Sequence, residues 1–258
     1  MNVMKYIKFL LFFTLLAANL SCSNDKNSSD ENGINTSGNK KDTGSSARGF
    51  LASDTYQSLV IEVSYVEGFR PNAQTLINLK QFLETLLNKP NGISVVEKQI
   101  PFPSKTVFSL DDIVEIEDTN RTRYNDSGIL AVHLLYINGN LESDTSSSKT
   151  LGTAYFNTSA VIYEKNIQEL SDEINEPNRI DLETTVLLHE FGHLLGLVDL
   201  GSPMQNNHLD TDHDKHCNNE SCLMFWKVEN SGVLQMMSSN IPQLDANCLL
   251  DLKANGGK

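Results

Sequence analysis

The sequence predicts a mixed α/β fold: a central sheet flanked by helices, a long buried helix beside it, and a smaller, more polar C-terminal part. Three observations carry this. Gly128–Ile137 (GILAVHLLYI) is a continuous apolar run of the kind found in strands covered on both faces. Apolar residues recur at helical spacing after Pro71 and again from Thr184 to Leu195. Strand-like and helix-like segments alternate along the chain, which places helices against a sheet rather than apart from it.

The chain of 258 residues is long enough for one domain with a real core. Its net charge of −13 argues against nucleic acid or an anionic membrane surface as the main partner. Met1–Ser21 reads as a signal peptide, with Lys5 and Lys8 before an apolar run from Phe9 to Ala18. That run is short for a bilayer span. It ends at Asn19-Leu20-Ser21-Cys22, which resembles the lipobox of bacterial lipoproteins, although the favoured Leu stands one place closer to the cysteine. The resemblance implies lipidation of Cys22 and a lipid anchor in the membrane. Together with the polar stretch that follows, it is similar to outer-membrane or cell-surface lipoproteins of Bacteroidetes-type bacteria. Ordinary cleavage near Ser23, giving a secreted or periplasmic soluble protein, is the alternative. Residues 22–49 carry almost nothing apolar except Ile34 and Ala47, so a disordered tether is expected there, with the folded domain spanning 50–258.

Within the domain, Ser58–Tyr65 alternates in β fashion. The segment after Pro71 places Leu76, Leu79, Phe82, Leu83 and Leu86 on one helix face, and Asn88–Gly92 ends it with turn residues. Ile93–Ile100 reads as a second strand. Ser109, with Asp112 three residues on, reads as a helix cap. The apolar run containing His133 is the buried strand, and His133 is expected to pack there rather than bind a ligand. Leu151–Tyr163 is expected to be one strand or a strand pair bent at Asn157. Gly201–Glu220 has turn formers throughout and reads as a loop. Gln243–Lys253 is the last expected helix.

The chemistry concentrates in Thr184–Asp199 (TTVLLHEFGHLLGLVD). His189 and His193 stand four apart, so both rings share one helix face and can reach one metal ion. Glu190 follows the first histidine and can act on a water at that metal. Val186, Leu187, Phe191, Leu194, Leu195 and Leu197 supply an apolar face for burying the helix, and Gly196 reads as its left-handed stop. Five of the six histidines, His189, His193, His208, His213 and His216, fall within 184–217.

The run H-E-F-G-H-L-L-G, followed by His216-Cys217, four residues, Cys222, Leu223 and Met224, resembles the metzincin group of zinc metalloproteases, and archaemetzincins in particular. The resemblance implies an N-terminal mixed sheet with helices, an active-site helix along the cleft, and a smaller C-terminal subdomain in which Met224 is the Met-turn residue. It implies a catalytic zinc on His189, His193 and a third ligand, with Glu190 as general base for a zinc-activated water. The pattern places the third ligand three residues after the glycine, at Asp199, whereas the His-Cys pair falls later, at His216-Cys217. Both ligand sets stay open, with His216 favoured because Cys217, Cys222 and Met224 keep their offsets from it. His208 and His213 are reserves. Archaemetzincins also hold a second, structural zinc on cysteines. The corresponding residues are Cys217, Cys222, Cys248 and Asp251, able to carry either zinc or a disulfide. Asp210–Asp214 lacks the glycine and the closing glutamate of a calcium loop and reads as a solvated acidic loop.

The function this implies is hydrolysis of peptide bonds in a peptide or protein substrate, aligned by strand addition along an edge strand within Leu151–Tyr163. The competing reading is a non-catalytic zinc-binding surface lipoprotein, against which Glu190 counts. A third reading, an iron oxygenase on His189, His193 and Asp199, fits the Met224 context poorly.

Overall fold

A computed structural model of the chain describes residues 36–174, 176–237 and 241–258. The expected signal peptide, Met1–Ser21, and Cys22 lie outside the described residues. The strands are β1 (Ser58–Val66), β2 (Ile93–Ile100), β3 (Val107–Phe108), β4 (Ile129–Tyr136), β5 (Asn140–Leu141), β6 (Gly152–Phe156) and β7 (Ser159–Ile162). The helices are α1 (Ala47–Leu51), α2 (Ala73–Leu86), α3 (Leu110–Asn120), α4 (Glu164–Glu169), α5 (Arg179–Leu194) and α6 (Ala246–Ala254).

The main sheet has the order β2-β1-β4-β7-β6. Its first four strands are parallel, and β6 pairs antiparallel with β7 at the edge. β4 is buried from Leu130 to Tyr136 because parallel neighbours and packed faces surround it, which is why its sequence does not alternate. Leu59, Ile61 and Val63 of β1, with Leu130, Val132 and Leu134 of β4, join the core beneath α2 and α5. Leu135, Val161, Phe108 and Ile113 form a smaller core on the other face, under α3. His133 is a buried strand residue whose Nε2 lies 2.9 Å from Ser64 Oγ.

α5 is buried from Leu182 through Leu194, so it runs through the interior rather than over the surface. The Asn178 side chain accepts from the Ile180 N–H at its start. At its end Gly196 takes φ +78°, and the N–H groups of Gly196 and Leu197 bond back to the carbonyls of His193 and Gly192 at 3.0 Å each. α3 carries the expected capping box between Ser109 and Asp112.

The expectation of a tether reaching Gly49 needs correction. Thr36–Gly49 belong to the folded body: a 3-10 turn spans Ser37–Asn39, and α1 begins at Ala47. Polar side chains hold this segment, so its apolar content gave no sign of it. Asn39 is buried and bonds Asn125, the Ala131 carbonyl and Thr158. Asn157 bonds the Gly38 carbonyl and Ser46 Oγ, and exchanges backbone and side-chain bonds with Lys41. Leu151–Tyr163 is a strand pair, β6 and β7, turning at Asn157-Thr158. The short α4 and the two-residue β3–β5 pair have no counterpart in the sequence pattern. α6 starts at Ala246, three residues later than expected, because Asp245 caps it.

The polar stretch after Gly196 is a loop that folds back on itself. Leu209 bridges Cys217, Asp210 N–H bonds the His216 carbonyl, and Asn218 N–H bonds the His208 carbonyl. This clip positions both His208 and His216. Among the described residues, no helix is long and apolar enough to cross a membrane.

Candidate active site and metal centres

His189 and His193 project from one face of α5 with ring centroids 4.7 Å apart and Nε2 atoms 3.1 Å apart. His189 Nδ1 lies 2.7 Å from the Leu223 carbonyl, which can only accept, so Nδ1 carries the proton and Nε2 presents a lone pair. The loop clip brings in His216, whose ring lies 5.4 Å from His189 and 5.2 Å from His193. Lys215, immediately before it, takes φ +71°, a strained turn that brings the ring to the two α5 histidines. Burial, with the neighbouring His216 charge, lowers His189 to about 4. Burial and the flanking histidines hold His193 well below the ordinary imidazole range. The α5 imidazoles are therefore neutral at neutral pH, the state that ligates metals.

These donors fit a divalent cation. The two Nε2 atoms meet at 3.1 Å, close enough for both to reach one ion once His193 presents its Nε2 lone pair. His193 Nδ1, His216 Nδ1 and His216 Nε2 are buried without a hydrogen-bond partner among the described residues. Three imidazoles suit zinc. The same group includes Glu229, on a 3-10 turn at Trp226–Glu229, with all four donor atoms within 4.8 Å of one another. Sequence reasoning missed Glu229, which belongs to no spacing pattern.

Glu190 sits between α5 and the sheet edge. Its Oε2 accepts from the Ala154 N–H of β6 at 2.7 Å, while Oε1 is buried without a partner. Burial, then the Glu229 charge, raises its pKa well above the carboxylate range, against the Ala154 bond. A base of ordinary acidity would be weak here, and burial strengthens it. Gly152 leaves room for this carboxylate: a Cβ there would lie 2.6 Å from Glu190 Oε1.

Met224 is fully buried under α5. A Cβ on Gly192 would stand 2.2 Å from its Sδ, so the glycine lets the turn approach the helix. Leu223, which anchors His189, belongs to the same segment. Asp199, the alternative third ligand, is exposed at φ +70° and belongs to neither donor group. His213 is also outside both groups. It stacks on Trp226 at 4.0 Å and lies 3.0 Å from Asp210.

No family model matches the chain, and no curated protein does so. The crystal structure of archaemetzincin from Methanopyrus kandleri matches with a TM-score of 0.50 at 16% identity, covering 78% of this chain and 96% of that one. The fold is archaemetzincin-like.

Beside the cleft, this archaemetzincin-like fold carries a second cluster of donors. Cys217, Cys222 and Cys248 are buried and free, so no disulfide joins them. Cys222 Sγ and Cys248 Sγ are 3.7 Å apart, and His208 Nδ1 lies 3.4 Å from Cys217 Sγ and 3.9 Å from Cys248 Sγ. His208, Cys217, Asp245 and Cys248 offer donor atoms within 4.8 Å of one another, with Cys222 Sγ adjoining Cys248, so residues of this cluster could hold a zinc. Asp251 does not supply a donor to the cluster. Its Oδ2 faces His208 Nε2 at 2.7 Å, which orients the imidazole instead, and its Oδ1 accepts from the Gln205 N–H. Asp245 also approaches Cys217, but its carboxylate is engaged by the Cys248 N–H at the start of α6 and by Asn219. Cys222 Sγ accepts from the Met224 and Asp245 N–H groups at 3.4 Å each. Hydrogen bonds from the other two thiols hold Cys222 below the ordinary thiol range.

Proposed function

We propose that this chain is a zinc-dependent peptidase, with His189, His193 and His216 holding the catalytic metal and Glu190 as general base. One observation carries the reading. A buried carboxylate is fixed by an edge-strand N–H beside three converging imidazoles. The archaemetzincin-like fold supports it.

When bound, zinc supplies Lewis-acid polarisation of a carbonyl and makes a nearby water more acidic. The chain's own residues do the rest. Glu190 Oε1, free of other bonds, takes a proton from water and returns it to the departing amine. The Ala154 bond holds Oε2 and so fixes which oxygen does this. β6 is the edge of the sheet, and an extended peptide would add to it as a further strand, which points to cleavage within a chain. Met224 and Leu223 support α5 from below and keep the His189 ring in register. A second zinc, on Cys217, Cys222, Cys248 and His208, would tie the loop clip to α6 and play no part in the reaction. The export signal and Cys22 lipidation belong to the same reading, on sequence alone, and would place the enzyme on a membrane surface.

The test is cleavage of casein by purified protein, with chelator and then zinc added. Cleavage that stops with chelator and returns with zinc is expected. Zinc-loaded protein that cleaves neither casein nor a broad peptide panel would sink the reading.

A further inference from the structure

We propose that Glu229 is a fourth protein ligand at His189, His193 and His216, closing that site in the resting protein until substrate displaces it. This rests on the peptidase reading and goes beyond it: the expected catalytic site is three ligands and an open place.

The spacing argues for ligation. Four donors arranged tetrahedrally at ~2.0–2.1 Å from one ion stand ~3.3–3.4 Å apart. The His189 and His193 Nε2 atoms are 3.1 Å apart, and His216 Nε2 and Glu229 Oε2 are 3.4 Å apart. The second distance is long for an N–H···O bond, whose range is about 2.7–3.2 Å. His216 Nε2 makes no hydrogen bond to any described residue. The pair, an ion pair at 3.4 Å, has the spacing of two ligands of a common ion.

The backbone argues for a built position. The Glu229 carbonyl accepts from Leu151 N–H at 2.8 Å, Asn230 bridges Thr150, and Ser231 N–H bonds the Lys149 carbonyl. This clamp joins the 3-10 turn to the chain immediately before β6, the strand that would receive the peptide. The side chain remains 39% exposed, so it has open space to swing into. Charge complementarity points the same way: imidazole ligands bring no negative charge to a divalent cation, and a carboxylate does.

The experiment uses the full metal-free chain, titrated with Co2+ as wild type, Glu229→Gln and Glu229→Ala. His189→Ala provides the spectrum of the cysteine site for subtraction. Azide is then titrated into each loaded protein. The expected result is Co2+ affinity at the histidine site lowered about tenfold or more in both Glu229 variants. Azide should bind the Glu229→Ala site at least about tenfold more tightly than wild type, because the fourth place is open. Co2+ and azide affinities within about twofold of wild type in both variants would overturn the proposal. So would Glu229→Gln behaving as wild type while Glu229→Ala weakens, which would make Glu229 a packing support. Wild type indistinguishable from His189→Ala would overturn the peptidase reading itself, and this inference with it.

Discussion

Gly152→Ala puts one methyl group where the base has to be. The new Cβ would lie 2.6 Å from Glu190 Oε1, 2.8 Å from Glu190 Cγ and 2.8 Å from Val186 Cγ1. Both residues belong to the buried span of α5, so the helix cannot retreat without disturbing the core on its far side. Overpacking of this kind costs about 1–3 kcal/mol. At roughly 2–4 °C per kcal/mol for a domain of this size, Tm should fall by a few degrees to about 12 °C. The cheapest relief is rotation of Glu190, which breaks its 2.7 Å bond to Ala154. A displacement near 1 Å costs a reacting group about a hundredfold, and loss of a general base about 10²–10⁴-fold. We therefore expect kcat/KM on a fluorogenic peptide to fall at least about a hundredfold, with zinc content unchanged because no histidine is touched. Turnover within about twofold of wild type in a folded, zinc-replete Gly152→Ala protein would refute the placement of Glu190.

Three further outcomes are expected. Gly192→Ala should destabilise by about 1–3 kcal/mol despite its better helix propensity, and the cost should shrink in a Met224→Ala background, since the clash is with Met224 Sδ; urea denaturation of the four proteins measures the coupling. His208→Ala should expose Cys217, Cys222 and Cys248 to rapid thiol modification in metal-loaded protein, and Asp251→Asn should weaken the metal there about 10–100-fold, read by chelator competition. Burial raises Glu183 to about 7 from an ordinary 4.5, so its protonated form is favoured in the fold. The stability it contributes is full below pH 4.5 and lost as pH rises through 7, on the order of 3 kcal/mol. The melting temperature of metal-free wild type should accordingly fall between pH 5 and pH 8 more than that of Glu183→Gln.

What the sequence makes legible is what depends on local spacing. The period of α2 and α5, the cap at Ser109, and the Gly196 stop are each set within a few residues. The continuous run of β4 shows its burial for the same reason. His189, Glu190 and His193 share a neighbourhood because one helix carries them. Long-range polar contacts are not legible in this way. Thr36–Gly49 looks like a tether by composition, yet Asn39 and Asn157 secure it across more than a hundred residues of sequence. His208 reaches the cysteines because the clip pairs Leu209 with Cys217, and Asp251 is free to orient it because α6 sets that carboxylate behind the ring. Glu229 reaches the cleft from a 3-10 turn clamped to residues 149–151, a pairing with no periodic signature.

The most direct test of the account is one comparison: zinc content and peptide turnover of Glu190→Gln beside wild type, from the same preparation. The account predicts equal zinc at the histidine site and turnover lower by about a hundredfold or more. Equal zinc with undiminished turnover would contradict it, because the carboxylate beside the imidazoles would then have no part in moving the proton.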